Sequence, residues 1–364
     1  MAEHKWVDVG AALDLRDKPI ARVEVEGLAL ALSFADERFA AISAKCVHKG
    51  GPLDRGVLDG GCIVCPWHQW KYDRVTGRLP GSPAGVVAYD VEVRDGRVLV
   101  DIASVRDEAV VQTPKHPLER DIAREAGPVR VVGISTTVMN RETPRYSTSE
   151  RLLGVALDHA SSALGAETRL LKLNDLTFRH CEGYYSNSAK SCTWPCTITQ
   201  ADAADEMQRV YEALVFWADV IVLATPIRWG SASSLFYKMA ERMNCIQNQI
   251  TINDRVLIRN KVATFIITGG QDNIQGVAGQ LLTFFSEIGF HFPQFPFIAH
   301  SRGWDAEDME RNMEAVEKSE DLREGARQLV TRGVEMAARL LGEGVGVEST
   351  PRGGRKASPL RIGR

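Results

Sequence analysis

Two short cysteine–histidine motifs constrain this chain more than any other feature of its sequence. Cys46 precedes His48 by two positions, Cys65 precedes His68 by three, and sixteen residues separate the two motifs. Two thiolates and two imidazoles suit a tetrahedral zinc ion. They also suit a [2Fe–2S] cluster in which one iron takes the two cysteines and the other iron takes the two histidines. The sequence therefore predicts a metal centre within residues 46–68.

The composition of each motif favours the cluster over zinc. Zinc-finger spacing usually places the cysteines together in one motif and the histidines together in the other, whereas each motif here supplies one of each. The flanking residues read KGGPL at 49–53 and QWKYD at 69–73. The whole block resembles the Rieske ferredoxin family, whose motifs are close to C-P-H-x-G-x-P-L and C-P-W-H-G-W-x-F-D. This resemblance implies a [2Fe–2S] cluster with Cys46, His48, Cys65 and His68 as ligands.

Neighbouring positions refine this expectation. Cys62 lies three residues before Cys65, and we interpret it as a non-ligand cysteine because a third thiol would disturb the two-plus-two pattern. Respiratory Rieske proteins carry a disulfide that braces the cluster loops, and here Gly51 occupies the position of one partner. High-potential family members place a serine and a tyrosine where this chain has Trp70 and Tyr72. We therefore expect a potential in the lower part of the Rieske range of about −150 to +300 mV.

The sequence pattern changes once along the 364 residues, a length that suits about two domains. Residues 1–104 read as short strands separated by turns, which predicts an all-β Rieske domain. Residues 105–128 are charged and contain prolines, which predicts a linker. Strands and helices alternate over 129–341, and the basic Gly/Pro-rich tail at 342–364 is predicted to be disordered.

The second half predicts a parallel α/β domain. Runs that read as strands lie at 129–134, 168–173, 219–225, 261–268 and 294–299, and helical spacing follows at 149–159, 205–217, 232–247, 274–288 and 305–341. Five strands with intervening helices imply a five-stranded parallel sheet that is covered on both faces. Ligands bind such sheets beyond the carboxyl ends of the strands, so we expect the functional residues there.

The residues after the first of these strands indicate an anion site. The strand is followed by Ser135, and the next loop ends with PRYSTS at 144–149, where a helix begins. Hydroxyl and backbone N–H groups at a helix start bind phosphate. The simpler alternative is an ordinary helix cap by one of the two serines, with Glu150 in the first turn. Three consecutive hydroxyls and an arginine exceed what capping requires, so we favour phosphate. The candidate ligands are Ser135, Arg145, Ser147, Thr148 and Ser149.

The loops after the third and fourth of these strands suit a planar ring system. They read TPIRWGS at 225–231 and TGGQDN at 268–273, where glycine permits close approach and Trp229 offers a flat apolar face. The first loop and KMAER at 238–242 resemble the NADPH-dependent FMN reductase and iron–sulfur flavoprotein families, whose motifs are close to S-P-x-Y-W-G-S and K-x-x-x-D-R. Arg228 replaces the usual tyrosine, and it could bind the flavin or attract an anionic partner.

This second resemblance implies a flavodoxin-like fold, bound FMN, NAD(P)H as co-substrate and a homodimer. The residues that we expect around the ring are Pro226, Ile227, Arg228, Trp229, Gly230, Thr268, Gly269, Gly270, Asp272 and Asn273. No distinctive nicotinamide motif occurs, so NADH and NADPH are not distinguished.

A long connection at 174–204 contains three further cysteines, Cys181, Cys192 and Cys196. Connections of this length are often functional. Related iron–sulfur flavoproteins hold a four-cysteine cluster in about this region, but the spacing here is loose, and buried free thiols are the commoner outcome. Tyr184, Tyr185 and Trp194 are interpreted as a lid over the flavin or substrate.

Composition limits the other function classes. The net charge of −3 gives no basic field for nucleic acid. The first residues lack the apolar core of a secretory signal, and no run approaches the roughly twenty apolar residues of a membrane helix. We therefore expect a cytoplasmic protein without a membrane partner.

Together these features predict an FMN-containing oxidoreductase that couples a flavin to a Rieske cluster. NAD(P)H is the expected donor, and a protein, a flavin or a quinone the expected acceptor, with the direction of electron flow left open. No side chain is identified as a catalytic acid or base. One alternative is a non-enzymatic electron-transfer protein that serves an oxygenase or reductase. The other is a redox sensor that switches through its cysteines.

Overall fold

The computed structural model describes residues 4–82, 84–104, 115–269, 273–301 and 306–342. The chain divides into two compact units. The first comprises Met1–Lys115 together with Gly183–Thr193, and the second comprises His116–Glu182 and Trp194–Arg364. The predicted linker is described only from residue 115 onwards and the predicted tail only at residue 342, so these two boundaries stay predictions.

The first unit is built on a six-stranded antiparallel sheet with the order β1-β9-β8-β4-β3-β2. Its strands are β1 (Trp6–Ala11), β2 (Ile20–Val25), β3 (Leu28–Ala35), β4 (Arg38–Ser43), β8 (Ala88–Arg94) and β9 (Arg97–Asp101). Alternate residues of β2 are buried, as expected for a strand with one face on a core. A five-residue helix, α1 (Ala12–Arg16), follows β1. The predicted all-β fold is confirmed.

A smaller sheet in the same unit carries the two cysteine–histidine motifs. It has the antiparallel order β5-β6-β7, formed by β5 (Val57–Asp59), β6 (Cys62–Val64) and β7 (Lys71–Asp73). The first motif lies between β4 and β5, and the second lies between β6 and β7. Leu53, Ile63 and Tyr72 are fully buried and pack with Cys46 and Cys65 in one cluster. The motif cysteines are therefore part of a hydrophobic core.

The second unit contains a five-stranded parallel sheet with the order β11-β10-β12-β13-β14. Its strands are β10 (Arg130–Ser135), β11 (Glu167–Lys172), β12 (Val220–Pro226), β13 (Val262–Gly269) and β14 (Phe297–Ser301). This 2-1-3-4-5 order is that of flavodoxin-like folds, so the predicted architecture is confirmed. Ser135 lies opposite Ala224, and Pro226 lies opposite Thr268. The carboxyl ends of β10, β12 and β13 thus share one edge.

Helices cover both faces of this sheet. They are α2 (Thr148–Ser162), α3 (Thr197–Ala201), α4 (Met207–Tyr211), α5 (Ser234–Arg242), α6 (Asn244–Asn253), α7 (Ile274–Glu287), α8 (Ala306–Lys318) and α9 (Glu320–Gly342). Buried residues of α2 and α9 form one core with Val220, Val222 and Val262. On the other face, Phe265 packs against Phe285 of α7. Among the described helices, none combines the length and the apolar character that crossing a bilayer requires.

Several elements depart from their predicted limits, and the region predicted as helical over 305–341 forms two helices, α8 and α9. The helix predicted over 205–217 ends its regular part at Tyr211 and continues as a wide π turn over Glu212–Trp217. The helix predicted over 232–247 is interrupted at Met243, and the preceding Arg242 carbonyl accepts a hydrogen bond from the Tyr211 hydroxyl. The last strand begins at Phe297, because Pro296 just before it has no N–H to donate to a sheet.

Candidate cluster and flavin sites

The two metal-binding motifs form similar tight loops. In the first loop, Gly50 N donates to Cys46 O and Cys46 N donates to Gly51 O, both at 2.9 Å. In the second loop, Gln69 N donates to Cys65 O at 3.0 Å, and Cys65 N donates to Trp70 O at 2.8 Å. Each loop therefore closes on its own cysteine through main-chain hydrogen bonds, which fixes where the side chains of the motif point.

The four candidate ligands meet as two pairs of like chemistry. His48 Nδ1 lies 3.2 Å from His68 Nδ1. The thiols of Cys46 and Cys65 are hydrogen-bonded to each other. A Rieske cluster needs two imidazoles on one iron and two thiolates on the other, and the donor set supplies exactly that division. Within the described ranges, no three His, Cys, Asp or Glu side chains are grouped so as to hold a single metal ion.

Gly51 leaves no room for a side chain beside the ligand sulfur. A Cβ atom built at this position would lie 2.7 Å from Cys65 Sγ and 3.3 Å from the Trp67 indole. Real Cβ atoms do not approach other atoms so closely, so any substitution would displace the ligand or the indole. Glycine at this position is therefore required by the close approach of the two loops.

Burial and contact set the protonation of the ligands before a metal binds. The hydrogen bond from Cys65, which outweighs burial, lowers the pKa of Cys46 to about 6. The same contact, together with burial, raises the pKa of Cys65. Burial lowers the pKa of His68, so its imidazole is neutral at pH 7. Cys46 is thus a thiolate and His68 a neutral imidazole at pH 7, and a metal bound by both thiols would displace the remaining proton of Cys65.

Two aromatic residues support the site from either side. Tyr72 is fully buried and its hydroxyl lies 2.9 Å from Cys46 Sγ. Burial, and then the nearby Cys46 sulfur, raise the pKa of Tyr72, so the phenol stays protonated and donates to the sulfur. Trp70 stacks on His48 with ring centroids 4.4 Å apart and an angle of 6° between the planes. The residue that replaces the family's serine therefore packs against a histidine of the first motif.

In the second unit, hydroxyl groups gather between the end of β10 and the start of α2. Thr137 Oγ1 lies 2.8 Å from Ser147 Oγ and 3.2 Å from Ser149 Oγ. Thr148 Oγ1 lies 2.7 Å from Thr268 Oγ1, at the end of β13. Ser147 is also the N-cap and accepts a hydrogen bond from the main-chain N–H of Glu150 at 3.3 Å. Capping and the hydroxyl cluster therefore coexist, and Thr137 is a member that the sequence did not single out.

The carboxylate in the first turn of α2 points towards the sheet. Glu150 Oε2 accepts a hydrogen bond from Ser135 Oγ at 2.9 Å, and Oε1 pairs with Lys172 Nζ at 2.5 Å. Pairing with a lysine reduces the repulsion that this carboxylate would exert on an anion at the helix start. Arg145 lies on the loop before α2 and is exposed.

The loops after β12 and β13 are joined at the same edge of the sheet. Arg228 and Ser231 exchange main-chain hydrogen bonds of 2.8 and 2.9 Å, which closes a tight turn. Trp229, at the tip, has φ of +51° and is 92% exposed. Asn273 Nδ2 donates to Gly230 O at 2.6 Å. Gly270 and Asp272, two of the residues expected around the ring, lie outside the described residues.

Glycine is needed where β13 ends. A Cβ at Gly269 would lie 2.7 Å from Ile227 Cβ, and Ile227 N donates to Thr268 O at 2.7 Å. Pro226, Ile227, Thr268 and Gly269 are therefore closely packed at the end of β12 and β13.

Comparison with known proteins assigns a family to each half of the chain. Residues 5–91 match the Rieske [2Fe-2S] domain, and residues 130–305 match the NADPH-dependent FMN reductase family. The chain is 32% identical over 101 residues to the ferredoxin component of the naphthalene 1,2-dioxygenase system of Pseudomonas aeruginosa, an alignment that covers 27% of this chain and 97% of the relative. The chain belongs to the Rieske [2Fe–2S] family, fused to an FMN reductase domain.

Two further similarities describe the parts of this Rieske–FMN reductase fusion. Ferredoxin CarAc of Metapseudomonas resinovorans is 37% identical over 98 residues, covering 26% of this chain and 92% of the relative. The crystal structure of RosB with a bound intermediate is 19% identical, covers 58% of this chain and 80% of that chain, and has a TM-score of 0.47. The two family assignments imply a [2Fe–2S] cluster, FMN and NAD(P)H, and they make the fusion protein an oxidoreductase of flavin-linked electron transfer.

Among the described residues, Cys181, Cys192 and Cys196 form no group that could hold a metal ion. Cys192 belongs to the first unit, whereas Cys181 and Cys196 belong to the second. The Cys196 thiol is hydrogen-bonded to Cys245 instead, a residue distant in sequence. Trp194, expected in a lid, is buried and its indole N–H donates to Leu118 O at 3.1 Å. The lid interpretation is therefore wrong for Trp194, which packs in the core because its indole finds an acceptor there.

A segment that the sequence did not connect with the cluster lies against His68. Ser191 O lies 2.5 Å from His68 Nε2, and Asn187 Nδ2 donates to Pro66 O at 2.9 Å. The Tyr184 ring meets the His68 ring edge-on at 5.4 Å. These residues belong to Gly183–Thr193, which is part of the first unit although its neighbours in sequence belong to the second. The length of the 174–204 connection was the one available signal.

Proposed function

We propose that this fusion protein takes electrons from NAD(P)H at FMN and passes them singly through its Rieske cluster to an acceptor. The observation that carries the proposal is the pairing of two histidine Nδ1 atoms and of two cysteine thiols in a chain that also has an FMN reductase domain. When bound, FMN exchanges electrons in pairs and the cluster exchanges them one at a time, so the protein's contribution is binding, orientation and tuning.

We propose Cys46 and Cys65 as ligands of one iron and His48 and His68, through Nδ1, as ligands of the other. The 3.2 Å separation of the two Nδ1 atoms supports this division, since one metal ion can lie between them. Tyr72 would donate to the Cys46 sulfur and Trp70 would hold the His48 ring in its plane. A hydrogen-bonded outer shell of this kind fixes the ligand orientation and tunes the metal.

For FMN, we propose that the phosphate binds at the start of α2. The ligands would be Ser135, Arg145, Ser147, Thr148 and Ser149, now joined by Thr137. Several hydroxyl groups converge at the start of α2, a helix of fifteen residues. This supports the placement, because the free main-chain N–H groups and the dipole at a helix N-terminus favour an anion. The sequence expectation of a phosphate site and the expectation of a helix cap are thus compatible.

The ring system of FMN is proposed to lie along the edge formed by the loops after β12 and β13. Pro226, Ile227, Thr268 and Gly269 would form its floor, and Arg228, Trp229, Gly230 and Asn273 its outer side, with Gly270 and Asp272 completing the predicted set. The 92% exposure of Trp229 supports this, since an indole held in water at a sheet edge has a large apolar face to offer a ring. Arg228 is exposed beside it and can meet an anionic group of a flavin or a nicotinamide nucleotide.

The acceptor is proposed to be a protein or a small quinone- or flavin-like molecule. The ferredoxin relatives are named as components of dioxygenase systems, which supports a protein partner of the oxygenase type. NADPH is the donor suggested by the family description, with NADH as the competing donor. By the same family resemblance, we propose a homodimer, which light scattering on the purified protein would test.

Anaerobic titration tests the proposal directly. The purified protein should show flavin absorbance, two irons per chain and a Rieske EPR signal after reduction. Addition of NADPH or NADH should bleach the flavin and then produce the EPR signal. A protein that keeps both cofactors but does not react with either nucleotide would refute the proposed donor.

A non-enzymatic electron carrier is the second candidate, favoured by the ferredoxin relatives, which match along 97% and 92% of their own lengths. A carrier would accept electrons from a separate reductase and would be inert to nicotinamide nucleotides. In such a carrier, a photochemical donor would still reduce the cluster, whereas NADPH and NADH would not. The same anaerobic titration therefore separates the two candidates.

A further inference from the structure

We propose that the segment Gly183–Thr193, here called the cap, covers His68 at the cluster. The cap thus occupies the position at His68 that an external protein partner would otherwise take. The inference rests on the proposed ligand role of His68. The ferredoxin relatives described above align over only about a hundred residues, in the N-terminal quarter of this chain. They therefore have no counterpart of the segment Gly183–Thr193.

The first argument is that the cap occupies the outward nitrogen of the ligand. With Nδ1 directed at the other histidine, Nε2 is the atom that remains to meet a partner. Ser191 O lies 2.5 Å from it, and because a carbonyl oxygen can only accept, the ring N–H is the donor. His68 is only 5% exposed. An external protein therefore cannot reach this nitrogen without displacing the cap.

The second argument is that the cap is anchored on both sides of that contact. Tyr184 packs edge-on against the His68 ring, and Asn187 Nδ2 donates to the carbonyl of Pro66, two residues before the ligand. Ser191 is fully buried, and its hydroxyl has no hydrogen-bond partner among the described residues. Burying an unpaired hydroxyl is unfavourable, so this placement is maintained by the other contacts of the segment.

The cap has a chemical consequence for the cluster. A ligating histidine that donates its second N–H to a carbonyl becomes a more basic ligand, and a more basic ligand favours the oxidised iron. The Ser191 carbonyl should therefore lower the potential of the cluster. This effect acts in the same direction as the absence of the family's serine at Trp70, although it comes from a distant part of the sequence.

The test is the reactivity of His68 Nε2 towards diethylpyrocarbonate in the cluster-loaded protein, followed by peptide mass spectrometry. His180, which is exposed, serves as the internal reference. We expect His68 to react far more slowly than His180. Tyr184→Ala and Asn187→Ala, which loosen the anchors, should each raise its rate by about tenfold, the factor that corresponds to loss of one hydrogen bond or ring contact.

Two control variants separate the cap from general disturbance. Ser191→Ala keeps the main-chain acceptor, and Tyr185→Ala removes a neighbouring ring that is 57% exposed. Neither should change the rate at His68. Redox titration should show a more positive cluster potential in the Tyr184 and Asn187 variants and an unchanged one in the controls.

Equal reactivity of His68 and His180 in the unaltered protein would overturn the cap, and so would a rate that none of the anchor variants changes. Absence of the Rieske EPR signal would instead overturn the proposed ligands. The two failures are therefore distinguishable in one set of samples.

Discussion

At the scale of single residues, Tyr72 contacts the sulfur of Cys46, one of the proposed cluster ligands. Its hydroxyl lies 2.9 Å from Cys46 Sγ and is buried. Hydrogen bonds to the sulfurs are one of the determinants of the potential of iron–sulfur clusters, and donation to a thiolate stabilises the reduced state by withdrawing electron density.

Tyr72→Phe should therefore lower the cluster potential while the iron content stays at two per chain. Redox titration followed by EPR measures the change. Tyr89→Phe is the matched control, because Tyr89 is also nearly buried but belongs to the other core cluster of the same unit. A potential that is unchanged or raised in Tyr72→Phe would contradict the role of the hydroxyl.

Arg242 is a second residue whose effect follows from its surroundings. Its guanidinium is fully buried and pairs with Asp205, with Nη2 2.6 Å from Oδ2 and Nη1 3.1 Å from Oδ1. Burial acts to raise the pKa of Asp205, but hydrogen bonds from Arg242 and the main chain outweigh it and leave the pKa below its usual value. The pair therefore contributes stability above the ordinary carboxyl pKa of about 4 and loses it as the pH falls through the folded value.

Arg242→Met should destabilise the second unit by roughly 3–5 kcal/mol at pH 7, because it leaves a buried carboxylate unpaired. The loss should shrink under acid conditions, where protonation removes the charge. Guanidinium unfolding followed by release of FMN fluorescence measures it at both pH values. Arg209→Met, on the exposed pair with Glu206, is the control and should change little. A similar loss in both variants would contradict this account.

At the scale of elements, the start of α2 combines a helix cap with the proposed binding site for the FMN phosphate. Its N-cap, Ser147, satisfies a main-chain N–H, while Ser149 is fully buried and lies 3.2 Å from Thr137 Oγ1. If this cluster binds the FMN phosphate, removal of one of its hydroxyls should weaken binding without disturbing the distant cluster of the first unit.

Ser149→Ala is therefore expected to raise the Kd for FMN by about tenfold, as for loss of one hydrogen bond to a charged group. Fluorescence titration of flavin-depleted protein measures the affinity. Ser162→Ala, at the other end of the same helix, removes an exposed hydroxyl that donates to its own helix at Asp158 O, and it should leave the Kd unchanged. Equal affinities in the two variants would exclude the proposed phosphate site.

The same elements show how far the sequence could predict the fold and the sites. Both folds were predicted correctly, because the features that indicate them are visible in the sequence. These are the spacing of Cys46, His48, Cys65 and His68 in the first half and the periodic alternation of strands and helices in the second. The interruption at Met243 could not be foreseen, because the carbonyl of Arg242 just before it is bonded by the hydroxyl of Tyr211, which lies 31 positions away in the sequence. The contact between Ser191 O and His68 could not be predicted either, because every residue has a main-chain carbonyl and the sequence does not show which one accepts a hydrogen bond.

At the scale of the whole molecule, each unit has its own hydrophobic core. The cluster motifs pack in the core of the first unit, whereas the predicted FMN site lies at the edge of a sheet whose core is formed by other residues. Units with separate cores can retain their own cofactors independently. Binding of the two cofactors should therefore be separable, while electron transfer to an acceptor requires both.

Cys65→Ser tests this division of labour, because it removes one proposed ligand from the first unit alone. The variant should lose the Rieske EPR signal and most of its iron, yet bind FMN at one per chain with unchanged Kd and be reduced by NADPH at the normal rate. Reduction of a one-electron acceptor such as ferric cytochrome c should fall by at least about tenfold, since the route through the cluster is missing.

Cys62→Ser, the matched control three residues earlier in the sequence, should keep the signal and the iron. Unaltered acceptor reduction in Cys65→Ser would place the exit of electrons at the flavin and refute the proposed order of transfer, and loss of iron from Cys62→Ser would make that cysteine a ligand.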